Sequence, residues 1–117
     1  MSTLVFVYGT LKRGGENREW IEDQRFVAEA RTRPVYRMYD LGGYPGMVRA
    51  TDGLAIQGEI WQVDDPGLAR LDVLEDIDGG EYERVGVELE GEFAGRGVEG
   101  YLYLLSVEGR RDVGECW

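Results

Sequence analysis

One stretch of this chain carries the full punctuation of an α-helix, and nearly everything around it reads as short strands. The stretch is "DDPGLARLDVLEDIDGG", residues 64–80. Asp65 stands where an N-cap belongs, Pro66 follows at the first helical position, and Gly79-Gly80 lie beyond the end. Strand character falls on 3–8, on 25–33 and 35–41 around Pro34, on 54–63 after the turn Thr51-Asp52-Gly53, and on the pair 81–90 and 98–107. Residues 17–24 have room for one or two helical turns capped by Asn17, and "GGYPGMV" at 42–48 is turn-rich. Many short strands with one main helix and a short second helix predict an α+β fold. The expected form is a strongly twisted sheet or a small mixed β-barrel. At 117 residues, the expectation is a single domain over 1–117.

Composition removes several function classes. The formal charge is -10, with twelve arginines, one lysine (Lys12) and no clustered cations, so nucleic acid is not an expected partner. No run reaches the ~18 apolar residues that cross a bilayer, so no membrane role and a cytoplasmic location are expected. Cys116 is the single cysteine, which leaves no internal disulfide. There is no histidine. That removes the usual general base near neutral pH and the commonest metal ligand. Acid–base work falls to carboxylates, tyrosines or Lys12, and no metal or cofactor is expected.

The first strand breaks at Gly9 into a polar, glycine-flanked loop: "LVFVYGTLKRGG", residues 4–15. Gly9-x4-Gly14 has the glycine spacing of a phosphate loop, but Gly15 and Glu16 stand where Lys and Ser or Thr would reach the phosphates. Gly95-x-Gly97-x-x-Gly100 has the dinucleotide spacing, but leads into the strand-like "YLYLLSV" instead of a helix. Neither predicts a nucleotide site.

A carboxylate on the apolar face of the helix is the stronger signal. At about 100° per residue, Leu68, Leu71 and Leu74 span an arc of roughly 120°. Glu75 falls inside that arc, between Leu68 and Leu71, with Asp72 near its edge. An acid aimed at the core is costly without a partner, and burial raises its pKa toward the range of a general base. The competing account is that Glu75 pairs with an arginine such as Arg84.

"VFVYGTLKRG" near the start and "LARLDVLEDIDGGEYERV" after the middle, with "YPGMV", "GEIWQV" and "YLY" in order between and after them, together resemble the γ-glutamylcyclotransferase-like proteins. The likeness is to the AIG2-like subgroup that includes the γ-glutamylamine cyclotransferases. The resemblance implies a small mixed α/β barrel. The implied reaction closes the glutamyl part of a γ-glutamyl compound to 5-oxoproline and releases an amine or amino acid. It implies Glu75 as the catalytic acid/base and Tyr8, Gly9, Thr10, Leu11, Tyr82 and Arg84 as substrate-binding residues. Gly9 is expected to let the backbone approach a carboxylate or oxyanion, with Tyr82 lining the pocket. The implied partner is a small-molecule γ-glutamyl substrate.

Two other readings stay open on the residues alone. One is a non-catalytic module that binds a small carboxylate metabolite on the same scaffold. The other is a carboxylate-only metal hydrolase, for which Glu75 with Asp72 supply few ligands. Trp20, Trp61 and Trp117 read as packing residues, and Cys116 as a free thiol.

Overall fold

The computed structural model describes residues 2–9, 11–12, 14–15, 17–75 and 77–117. Among the described residues, eight strands form two sheets, and one α-helix packs against β1 and β5. The strands are β1 (Ser2–Val7), β2 (Arg25–Arg31), β3 (Tyr36–Asp40), β4 (Pro45–Arg49), β5 (Gln57–Asp64), β6 (Tyr82–Gly86), β7 (Glu99–Tyr103) and β8 (Arg111–Asp112); the helix is α1 (Asp65–Leu74). A five-stranded sheet runs β2-β5-β1-β7-β6, and a three-stranded sheet runs β4-β3-β8. β1 is antiparallel to β5 and parallel to β7. The short second helix is a single 3-10 turn, Arg18–Trp20.

β1 is apolar from Leu4 to Val7, and from Val5 to Val7 both its faces are buried. Val5 and Val7 join Ile21, Trp61, Val63 and Leu71 on the side of α1. Phe6 and Tyr8 point the other way and join Tyr36, Met38 and Met47 of the small sheet, with Ile60 of β5. The alternation of successive side chains thus feeds two cores from one strand.

The sheet curls but does not close. Its outer strands meet only beyond their ends, at the bridge Thr32–Leu89. There Arg33 N–H donates to Glu88 O at 2.9 Å, and Glu90 N–H donates to Arg31 O at 3.0 Å. No continuous ladder joins β2 to β6, so the twisted-sheet form of the expectation is the one observed, and the barrel form is not.

Three local readings shift. The helix is capped one residue earlier than expected: Asp64 Oδ1 accepts from Gly67 N–H at 2.8 Å, and Asp65 opens the helix. Residues 45–49 form a strand instead of continuing the turn. Pro45 begins it, where a missing N–H costs least, and it pairs along β3. β8 was not legible as a strand; it is two residues long and held by β3.

Candidate active site

β1 and β7 run in parallel, and a cavity of about 470 Å³ opens where β1 ends, bordered by the end of α1, the start of β6 and the loop before β4. The loop owes its shape to Asp40. Its Oδ1 accepts from the N–H groups of Gly42 (2.8 Å) and Gly43 (3.0 Å), and both glycines take positive φ, 112° and 103°. A side chain at either would be strained there.

Buried tyrosines line the cavity, their hydroxyls committed to fixed acceptors. Tyr8 O–H donates to Tyr101 O at 2.7 Å and accepts from Met47 N–H at 3.2 Å. Tyr82 O–H donates to Pro45 O at 2.7 Å. Tyr101 O–H donates to Asp72 Oδ1 at 2.7 Å. Burial pushes all three phenols well above their ordinary range. They remain neutral at physiological pH and shape the site without exchanging protons.

Glu75 is the exception. It caps the C-terminus of α1, where its N–H donates to Leu71 O at 2.9 Å. That bond continues the helical path for one residue, so the side chain keeps the core-facing azimuth read from the sequence. Its carboxyl lines the cavity, and no described residue forms an ion pair or side-chain hydrogen bond with it. Burial, then the nearby charge of Glu81, push its pKa up to about 7. A carboxyl poised there can both take and return a proton near neutrality.

Arg84 is not its partner. Its guanidinium donates to Asp72 Oδ2, and its Nε lies 3.5 Å from Glu99 Oε1. Arg84 was expected at the substrate, yet it is not among the cavity-lining residues. The sequence placed two acids, Asp72 and Glu75, on adjacent positions of one face. The structure gives the cation to the first and, among the described residues, none to the second.

Of the other predicted site residues, Tyr8, Gly9, Leu11 and Tyr82 line the cavity with Glu75. Thr10 lies outside the described residues. Lys12 N–H donates to Gly9 O at 3.1 Å and closes a turn at the end of β1. That closing bond does not use the Leu11 N–H. The space on the Cβ side of Gly9 is taken by Pro45. A Cβ there would overlap the Pro45 ring, with Cδ at 2.8 Å, so the missing side chain lets the turn pack on β4.

Tyr44, Glu81 and Tyr101 also line the cavity and were not singled out from the sequence. Tyr44 and Tyr101 sit in the quoted pieces "YPGMV" and "YLY", and Glu81 immediately precedes Tyr82. The signal was present only as neighbourhood to residues already chosen.

The γ-glutamyl cyclotransferase, AIG2-like family model matches residues 5–117. A Vibrio cholerae protein with a provisional γ-glutamylcyclotransferase name is 42% identical over 88 residues, spanning 75% of this chain and 74% of its own. The Escherichia coli γ-glutamylcyclotransferase family protein YtfP is 35% identical over 80 residues, 68% of this chain and 67% of its own. Among solved structures, the uropathogenic E. coli protein c4763 superposes with a TM-score of 0.77 at 30% identity, covering 98% of this chain and 90% of that one. The matched model, the curated relatives and the shared architecture agree: this chain belongs to the γ-glutamyl cyclotransferase, AIG2-like family.

Proposed function

We propose that the protein cyclises the glutamyl part of a γ-glutamyl amine or amino acid to 5-oxoproline, with Glu75 as the general acid/base. The observation that carries this reading is the Glu75 carboxyl. It faces a cavity of about 470 Å³ with no described cation beside it and a pKa raised to about 7. The substrate's α-ammonium gives a proton to Glu75, and the freed amine attacks its own γ-carbonyl carbon. A ring C–N bond forms and the carbonyl oxygen takes the charge. Backbone N–H groups of the turn after Gly9, Leu11 among them, are the candidate donors to that oxygen or to the α-carboxylate. Collapse breaks the bond to the original nitrogen, which takes the proton Glu75 returns. The ring nitrogen, still carrying two hydrogens after the attack, gives its second proton to the regenerated carboxylate, which passes it to the departing amine, so the lactam N–H is neutral and the amine leaves as an ammonium. One carboxyl relays every proton and the balance closes on the substrate alone.

The test is a panel of γ-glutamyl amines and dipeptides with 5-oxoproline release as the readout, run on the wild type and on Glu75→Gln. Release by the wild type and its loss in the variant is the expected result. Tight binding without release would instead make the protein a recognition module and end the catalytic reading.

A further inference from the structure

Asp72 and Glu75 stand three residues apart at the end of α1, a spacing that puts Cβ atoms about 5–6 Å apart. Two carboxylates so placed each make the other harder to ionise. Both also sit at the negative end of the helix dipole, and the last turn of α1 holds no basic residue of its own. Any cation must come from another element. Arg84 and Tyr101 are direct cross-strand partners of β6 and β7. Together they take both oxygens of Asp72: Tyr101 O–H donates to Oδ1 at 2.7 Å, and the Arg84 guanidinium donates to Oδ2. The Arg84 and Asp72 side chains are 29% and 30% exposed, so water screens them only in part. The titratable groups that line the cavity with Glu75 are Tyr8 from β1, Tyr44 from the loop before β4, Glu81 before β6, Tyr82 from β6 and Tyr101 from β7. The four phenols have raised pKa values and stay neutral. No described cation lines the cavity, so Arg84 reaches this end of the helix through Asp72.

We propose that Arg84 is a positioning residue for the reaction, acting through Asp72: it cancels the like charge one turn before Glu75 and so keeps the base able to ionise. The effect on turnover rests on the cyclotransferase reading, whereas the effect on the carboxyl does not. Without Arg84, Asp72 is an uncompensated carboxylate beside the base. Glu75 then holds its proton to higher pH, and less of the enzyme carries the ionised form that takes the substrate's ammonium proton. Burial and Glu81 already push the Glu75 pKa up to about 7, which leaves little room for a further rise at neutral pH. Removing Asp72 alone has the opposite sign. It leaves Arg84 as the unmatched charge, offset only by Glu99, whose Oε1 lies 3.5 Å from Arg84 Nε.

The experiment follows the Glu75 carboxyl directly, by its carbon-13 NMR titration, assigned through its loss in Glu75→Gln. In parallel it records the pH profile of kcat/KM for 5-oxoproline release from one γ-glutamyl substrate. The proteins are wild type, Arg84→Gln, Arg84→Lys, Asp72→Asn and the double variant Arg84→Gln/Asp72→Asn. Arg84→Gln is expected to move the titration and the acid limb to higher pH by about half a unit or more. Asp72→Asn should move both to lower pH by a smaller step, because Glu99 remains beside Arg84. The double variant, which removes both charges, should return close to wild type. Arg84→Lys keeps the charge and loses the planar fork, so its limb should stay near wild type even where its melting temperature falls. Both single-variant shifts should shrink at high ionic strength. A loosened helix end would move the two single variants in the same direction, and the double variant further still. That result, or a titration that neither single variant moves, would overturn the role of Arg84. The expected NMR shifts without 5-oxoproline release from any γ-glutamyl compound would end the cyclisation reading and leave the charge relation between Arg84, Asp72 and Glu75 standing.

Discussion

Arg84 closes its guanidinium on Asp72, one turn before Glu75 on the same helix, and leaves Glu75 without a cation among the described residues. The two acids differ in azimuth by only about 60° at helical spacing. Their environments nevertheless part completely. Asp72 accepts from Tyr101 O–H and from Arg84. Glu75 meets the cavity and the charge of Glu81.

Glu75→Gln should therefore stabilise the protein in a pH-dependent way. The folded pKa, about 7, lies above the ordinary value of 4.5. Between those values the unfolded chain has already released the proton that the folded chain still holds. Stability contributed by this group falls as pH rises through the window, by about 2–4 kcal/mol in full. Gln removes the penalty. The variant should match wild type near pH 4.5 and melt higher above pH 7. If an arginine did neutralise Glu75, the variant would melt lower at pH 8, so thermal scans across pH decide between the two.

Arg84→Gln should do the reverse. It breaks a half-buried ion pair and should cost roughly 1–3 kcal/mol. The KM of a γ-glutamyl substrate should change by less than about threefold per folded molecule, since Arg84 does not line the cavity. A tenfold rise in KM with unchanged melting temperature would return Arg84 to the substrate.

The helix, the first strand and the inward azimuth of Glu75 were legible because each rests on local periodicity. The "DDPGLARL" cap signal is local too, and was off by one residue because Asp64 and Asp65 are chemically alike. What stayed hidden depends on contacts distant in sequence. Arg84 could be matched to either acid on the helix face, and only the register of β6 beside β7 puts it on Asp72. The space beside Gly9 belongs to Pro45, whose strand could not be told from a turn, because Gly42, Gly43 and Gly46 surround it. Tyr44 and Glu81 lie far apart in the chain and meet only once β6 has paired with β7.

Gly9→Ala should destabilise the protein by about 1–3 kcal/mol, the usual cost of forcing a methyl into a packed contact. The methyl would press on Pro45, whose carbonyl holds the Tyr82 hydroxyl and which itself lines the cavity. KM should therefore rise as the melting temperature falls. Pro45→Ala removes the obstructing ring atoms and should recover part of both losses in the double variant, which a double-mutant cycle measures directly. Losses that simply add would mean the two positions do not touch.

The pH dependence of turnover follows from the same carboxyl, with a second residue as a control. The group must be ionised to accept the ammonium proton, so kcat/KM should rise with pH on an acid limb centred near 7, the pKa of the free enzyme's base. Burial sets most of that elevation, and the charge of Glu81 adds to it. Removing that charge should ease ionisation of Glu75. Glu81→Gln is therefore expected to move the acid limb to lower pH, and raising ionic strength should move the wild-type limb the same way. The Tyr44–Glu81 hydrogen bond gives a milder form of the same test. Tyr44→Phe leaves the Glu81 charge in place, so the limb should stay near the wild-type position. Profiles measured with one γ-glutamyl substrate for the three proteins separate the outcomes. A limb that stays at the same pH in Glu81→Gln would show that Glu81 does not act on the base, and a limb near 4.5 in wild type would remove Glu75 from the role of a tuned general base.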